Sequence, residues 1–365
     1  MALSNTTRGH SVFVPSPAPR LRRKVAHHIK AAQPRLRRLA APVLRSALLR
    51  AALNGVEERA GQLVIYPRRD FRVSDAADFL FHTSDLPSAF SWKCRFADAT
   101  FRVPVDPAFP HPFPHNDPWG PATYWRREEN RKIRQFYETY LHHRPSGTFL
   151  DVGANWGCHS YPFAASGYRC VAFEPQTICC DFMARVREFN PLHHLTIVRS
   201  AVGSRPQAAM PFFESEVETF SSVNQQHVQD FKLPWRESTV ECVTLDSYCS
   251  AHGIVPTLVK IDTEGFESEV ARGARDVFRE YKPGLLVEVS SRLDEQYELW
   301  HMLADAGYRC YAVVQSLGRR YPQRPFLPVH SADEFVSTSS QSTGGQFQGD
   351  RDFIFLQPSD DVFQM

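Results

Sequence analysis

The sequence predicts an α/β fold: a Rossmann-like open sheet preceded by an N-terminal extension. Three observations lead there. From Gly147 onward, short apolar strand-like runs alternate with helix-like pieces, as in an open sheet crossed by helices. Within Thr148-Phe149-Leu150-Asp151-Val152-Gly153-Ala154-Asn155-Trp156-Gly157, an apolar strand ends in an acid and a glycine-punctuated turn opens a helix. Twenty-one positions after Gly153, a second apolar strand, Val171-Ala172-Phe173, ends in Glu174.

The chain divides into a basic segment over 1–56, an accessory or lid region over 57–122, and the α/β domain over 123–358. Residues 1–56 contain no Asp or Glu, while Arg and Lys recur. Residues 36–53 carry apolar positions near helical spacing with arginines between them, interrupted at Pro42. This basic amphipathic pattern suits peripheral contact with an anionic membrane, an organelle transit segment, or simple packing on the domain. Seven prolines between Pro104 and Pro121 exclude a regular helix or central strand there, and a lid with His111, His115 and Trp119 is expected. A helix over about 125–142 should bury Ile133, Phe136, Tyr137 and Tyr140 on one side.

Strands are expected at 149–152, 170–173, 195–200, 240–244, 258–261, 285–289, 308–314 and 353–356, the one near 240 as an accessory piece. Helices are expected near 157–166, 176–189, 246–252, 265–280 and 293–306. Residues 337–349 are rich in Ser, Thr, Gln and Gly and read as a polar loop. The net charge of +2 argues against a protein devoted to nucleic acid. Eight cysteines without any Cys-x-x-Cys read as reduced, buried thiols, and no apolar run of about 18 residues suggests a spanning helix, so a cytoplasmic protein is expected.

The first strand–turn–helix places a nucleoside. Gly153 and Gly157 let the backbone turn tightly and approach a ligand, and Glu174 at the end of the neighbouring strand offers two acceptors to a vicinal diol. Dinucleotide sites use Gly-x-Gly-x-x-Gly to hold a pyrophosphate at a helix N-terminus. Here Asn155 occupies the second glycine position and the Gly153-to-Gly157 spacing differs. S-adenosylmethionine has no phosphate and needs only room for its amino-acid end beside an acid such as Asp151.

Six segments together resemble the FkbM-type methyltransferases. They are Phe149 to Gly157, Ala172-Phe173-Glu174-Pro175, Ala201-Val202-Gly203, Thr244-Leu245-Asp246-Ser247-Tyr248, Leu258-Val259-Lys260-Ile261-Asp262-Thr263-Glu264-Gly265-Phe266-Glu267, and Pro283-Gly284-Leu285-Leu286-Val287-Glu288-Val289. The resemblance covers about 147–290 and the closing strand near 352–357. It implies a seven-stranded class I methyltransferase sheet with an antiparallel last strand. It also implies S-adenosylmethionine binding by Asp151, Gly153, Asn155, Gly157, Glu174, Pro175, Ser200 and Ala201, and O-methylation of a hydroxyl on a sugar or secondary metabolite. Pro162 departs from the pattern and is tolerated only in the first turn of its helix.

Ligands of open α/β sheets gather beyond the carboxyl ends of the strands. Asp262, Glu264 and Glu288 can therefore converge, with Asp262 first and Glu264 next as the base for an acceptor hydroxyl. Alternatively Asp262 with Glu264 or Glu288 holds Mg²⁺. Glu267 is expected to charge the N-terminal turn of the 265–280 helix. His159 reads as a helix-surface histidine, with approach to the ligand as the alternative. The place of the Asn/Asp-Pro-Pro-aromatic string of base N-methylation holds Asp262-Thr263-Glu264-Gly265, so nucleic acid is disfavoured as a partner. The expected acceptor is a small molecule or glycan; a membrane-associated glycan, or a non-catalytic binding subunit, are the alternatives.

Overall fold

The computed structural model describes residues 53–59, 62–67, 90–105, 124–125, 130–215, 220–230, 232, 234–313, 326–339, 342–343, 346–347, 351–360 and 362–363. The amphipathic segment before Leu53 and the expected lid with His111, His115 and Trp119 lie outside these residues.

In chain order the strands and helices begin with β1 (Leu53–Arg59), β2 (Gln62–Pro67), β3 (Phe90–Phe96) and β4 (Ala99–Val105). The α/β region follows with α1 (Arg131–His143), β5 (Thr148–Val152), α2 (Ser160–Ala165), β6 (Arg169–Phe173), α3 (Thr177–Phe189), β7 (Leu195–Val198) and β8 (Ala201–Val202). Next come β9 (Gln207–Ser215), α4 (Gln225–Asp230), β10 (Trp235–Val243), α5 (Leu245–His252), β11 (Leu258–Ile261), α6 (Glu267–Arg272), α7 (Arg275–Glu280) and β12 (Gly284–Glu288). The chain closes with α8 (Leu293–Asp305), β13 (Arg309–Val313), β14 (Phe326–Val329), α9 (Ala332–Ser339), β15 (Ser342–Thr343), β16 (Gln346–Phe347) and β17 (Asp352–Leu356).

The main sheet has the order β14-β13-β17-β12-β11-β5-β6-β7. The strands β7, β6, β5, β11 and β12 run parallel, while β17 enters antiparallel between β12 and β13. These are the seven strands the resemblance implies, with β14 added at one edge, antiparallel to β13. Helices cover both faces, so the central strands are buried on both sides; the four residues of β11 and the last four of β5 are all buried. One core, on the α1–α3 side, holds Phe136, Tyr137, Phe149 and Phe163; the other, on the α5–α9 side, holds Val259, Ile261, Val270, Leu299 and Phe335.

As expected, α1 buries Ile133, Phe136, Tyr137 and Tyr140. Pro162 falls at the third residue of α2, in its first turn, where no helical hydrogen bond is lost. The hairpin β3–β4 docks on this side of the sheet: the Asn190 side chain at the end of α3 accepts from the Arg102 backbone N–H (2.7 Å) and donates to its carbonyl (2.6 Å). Pro104 lies in β4, an edge strand, where a missing N–H is tolerated.

Several expectations are corrected. The helix expected over 265–280 is two helices, because the backbone bends at Gly273, where a Cβ would collide with the Gly203 carbonyl oxygen. The accessory strand near 240 is a nine-residue strand in a separate sheet of order β8-β10-β9. Helix α9 occupies the start of the expected 337–349 loop, with Ser339 buried and its hydroxyl donating to the Gln296 side-chain oxygen (2.6 Å). All eight cysteines are buried and free of disulfides. Among the described residues, no helix is long and apolar enough to cross a membrane.

Gly153 makes the tightest approach of the turn after β5. Its φ is +73°, and a Cβ there would collide with the Asp262 backbone oxygen. Gly167 has φ +90° but open space around it. Gly153→Ala should therefore cost roughly 2–4 kcal/mol and Gly167→Ala only about 1–2 kcal/mol. Urea unfolding of the two variants checks this; equal losses would show that the Gly153 contact carries no weight.

Candidate active site

The site forms where β5, β6 and β11 end side by side. The parallel register pairs Asp151 with Lys260 on one side and with Ala172 on the other, which brings the Asp151 and Lys260 side chains together. Lys260 is 4% exposed and lies in an otherwise apolar strand. Its ammonium donates to the Gly153 carbonyl (3.1 Å), lies 2.9 Å from Asp262 Oδ2, and lies 3.7 Å from Asp151 Oδ1. Burial alone would favour the neutral amine; the carboxylates of Asp262 and Asp151 outweigh it and hold Lys260 protonated, well above its usual range.

Asp151 is fully buried and accepts a hydrogen bond from Ser160 Oγ (2.7 Å) at the start of α2; its Oδ1 has no hydrogen-bond partner. Burial raises its carboxyl, and Lys260 and Ser160 oppose that shift. The turn that follows is pinned to the neighbouring strands. Both Gly153 N–H and Ala154 N–H donate to the Phe173 carbonyl (3.0 Å each), and Asp262 N–H donates to the Val152 carbonyl (3.1 Å). Asn155 takes φ +48°, which asparagine tolerates better than most residues, and its N–H donates to Glu174 Oε2 (2.7 Å). Glu174 Oε1 accepts from Gln176 N–H (2.8 Å). Burial pushes the Glu174 carboxyl up to about 7, against the pull of these two backbone donors.

One cleft runs along these strand ends. Its wall includes Gly153, Asn155, Glu174, Pro175, Ser200 and Ala201, with Asp262 and Glu264 on the β11 side. Two residues named by sequence as ligand contacts are placed elsewhere. Asp151 lies beneath the turn with no exposed surface, and Gly157 (φ +77°) is off the wall, where a Cβ would press on the Tyr161 ring and Met183. Their parts are to bind Lys260 and to let the chain enter α2.

The three acids differ in setting. The Asp262 side chain is 24% exposed and keeps contact with the cleft while one oxygen is held by Lys260. Glu264 has φ +53°, and its Oε2 lies 3.0 Å from His227 Nε2. Glu288 is not on the wall; the charge of Asp262, then burial, push its carboxyl well above the usual range. Among the described residues, no group of three or more His, Cys, Asp or Glu side chains is arranged to hold a metal ion. Glu267 lies in the first turn of α6, as expected, and is fully buried there. It accepts from Gly265 N–H (2.8 Å) and Ser290 N–H (3.2 Å), and so fixes the turn after β11 to the end of β12.

His159 is the clearest correction to the sequence reading: it is buried, not on a helix surface. Its Nε2 lies 2.8 Å from the Tyr124 hydroxyl and its Nδ1 2.9 Å from the Tyr137 hydroxyl, with the Trp125 ring beside it. Burial, then Lys260, keep the imidazole neutral. Lys260 and His227 escaped the sequence reading as functional residues. A lysine inside an apolar strand was a readable signal for the first; nothing local marks the second.

The structure is an open α/β sheet with a cleft and several acids at its strand ends. Residues 151–310 match the model of the methyltransferase FkbM domain, so this stretch is similar to the FkbM-type methyltransferases. Three solved structures show lower similarity. Methyltransferase FkbM from Methylobacillus flagellatus KT is 18% identical, with 58% of this chain and 44% of that one covered and a TM-score of 0.35. A SAM-dependent methyltransferase from Agrobacterium tumefaciens is 10% identical, with coverage of 68% and 74% and a TM-score of 0.32. The Pyrococcus abyssi tRNA (uracil-54, C5)-methyltransferase in complex with S-adenosyl-L-homocysteine is 10% identical, with coverage of 68% and 50% and a TM-score of 0.30. The chain thus spans less than half the length of the first of these. Among curated proteins, none matches the sequence.

Glu174 sets a pH dependence. A diol donating to it favours the carboxylate, so binding should lower its pKa from about 7 and release a proton. Affinity for S-adenosylhomocysteine should therefore be full above pH 7 and fall as pH drops below it, by at most about tenfold per unit. Calorimetry between pH 5.5 and 8 in buffers of different ionisation enthalpy reads this directly; a flat affinity without proton release would contradict it.

Proposed function

We propose that the protein transfers the methyl group of S-adenosylmethionine to a hydroxyl of a sugar-containing or polyketide-like small molecule. The observation that carries this reading is one cleft whose wall holds Gly153, Asn155 and Glu174 together with Asp262 and Glu264. Its wall suits a nucleoside without phosphate: Gly153 and Asn155 line it beside the Glu174 carboxylate, which accepts from a diol.

The bound donor supplies a methyl group on a positively charged sulfur. The protein's work is then to place the acceptor oxygen in line with that methyl and to take the hydroxyl proton. Asp262 suits the proton step because Lys260 fixes one of its oxygens while the side chain keeps exposed surface in the cleft. As the oxygen–carbon bond forms, the carbon–sulfur bond breaks with its electron pair left on sulfur, and the proton passes to Asp262. The acidic strand ends also favour a cationic donor over its neutral product.

Labelled S-adenosylmethionine offered with a panel of hydroxylated glycosides and polyketides tests the acceptor class. Asp262→Asn should bind S-adenosylhomocysteine within about twofold of the parent and lose roughly 10²–10⁴-fold in methyl transfer. Unchanged transfer by the variant would reject the base role, and binding of NAD instead of S-adenosylhomocysteine would reject the donor.

A further inference from the structure

Residues 220–230, between β9 and β10, form a clamp on the Asp262–Gly265 turn. The Ser222 hydroxyl donates to the Glu264 carbonyl (2.8 Å), and the Asn224 side-chain amide donates to the Gly265 carbonyl (3.4 Å). The Asn224 oxygen in turn accepts from His227 N–H (3.4 Å) at the start of α4. The same segment gives Ser221, Ser222 and Val223 to the cleft wall. Glu264 is held with φ +53°, a region glutamate seldom enters, so the turn is set by these outside contacts and not by its own preference.

The result is a carboxylate–imidazole couple at the cleft. The Glu264 and His227 side chains are only 16% and 9% exposed and meet at 3.0 Å, and Glu264 lines the cleft beside Asp262. Burial first, and then the charge of Asp262, work against the Glu264 carboxylate; His227 and Arg351 favour it. Glu267 and Glu288 also feel its charge. His227 is in direct contact with the Glu264 carboxylate, and it is supplied by a segment that also builds the wall.

We propose that His227 is a positioning residue that keeps the Glu264 carboxylate ionised and turned to the methyl-acceptor end of the cleft, where Glu264 holds the acceptor hydroxyl for Asp262. This rests on the methyl-transfer reading above. It assigns the acidic turn two tasks: Asp262 with Lys260 takes the proton, and Glu264 with His227 places the oxygen.

The test needs no known acceptor. Sinefungin carries a protonated amine where the donor carries its methyl, whereas S-adenosylhomocysteine is neutral there, so their affinity ratio reports negative charge at that point. Titrations of the full chain, of Glu264→Gln, of His227→Ala and of His227→Gln should give S-adenosylhomocysteine affinities within about twofold of one another. The sinefungin preference should fall about tenfold in Glu264→Gln and at least about threefold in His227→Ala, with partial recovery in His227→Gln, which keeps a donor. Between pH 6 and 8 the preference should rise with pH in the parent and less steeply in Glu264→Gln, where only the other raised carboxyls remain. If His227→Ala fails to fold, His227→Gln against Glu264→Gln carries the comparison. An unchanged ratio in Glu264→Gln with S-adenosylhomocysteine still bound overturns the placement of Glu264 alone. A changed ratio in Glu264→Gln but not in the His227 variants overturns the role of His227. Failure of the parent to bind S-adenosylhomocysteine overturns the methyl-transfer reading and this proposal with it.

Discussion

A single buried ammonium organises the strand ends of this protein. Lys260 sits in the centre of an eight-stranded sheet, in a strand whose four residues are all buried, and reaches Asp151 on the neighbouring strand and Gly153 and Asp262 on two loops. Removing a charge of this size from water costs several kcal/mol, and only opposite charges and carbonyl oxygens close by offset it. Asp151 and Asp262 are therefore tied to Lys260 as much as it is to them. The Gly153 carbonyl must also face inward, which sets the turn after β5.

From that constraint the rest of the cleft follows. With the Gly153 turn held down, its N–H groups meet the end of β6, and Asn155 meets Glu174. Across the sheet, the Asp262 backbone closes over Gly153 so tightly that only glycine fits. Glu267 then anchors the turn after β11 to β12, and the Ser222–His227 segment braces the turn from outside. Ion pair, backbone approach and clamp act on one short stretch, which is why that stretch sustains a left-handed glutamate.

The parts of this arrangement that sequence reveals are those set by neighbours in sequence or by burial on both faces. Strands β5, β6 and β11 read directly because double burial demands unbroken apolar runs, and Gly153 and Glu174 sit at their ends. Strand β10 was harder to bound because most of its residues are exposed, which leaves little hydrophobic pattern. His159 looked like a surface residue because its partners, Tyr124, Trp125 and Tyr137, come from elsewhere in the chain. Asp151 looked like a ligand contact because a strand-end acid can face either the cleft or the next strand; only the register with Lys260 decides between them. His227 lies on a six-residue helix outside any motif, and its meaning comes entirely from contact with Glu264.

The strand ends depend on Lys260, and its removal measures that dependence most directly. Urea unfolding and S-adenosylhomocysteine calorimetry of Lys260→Met, alone and combined with Asp151→Asn, give the result. The single change should cost roughly 3–5 kcal/mol because it strands the Asp151 charge, and should abolish binding; the added Asp151→Asn should recover much of the stability. A Lys260→Met protein that is as stable as the parent and binds equally well would contradict the account.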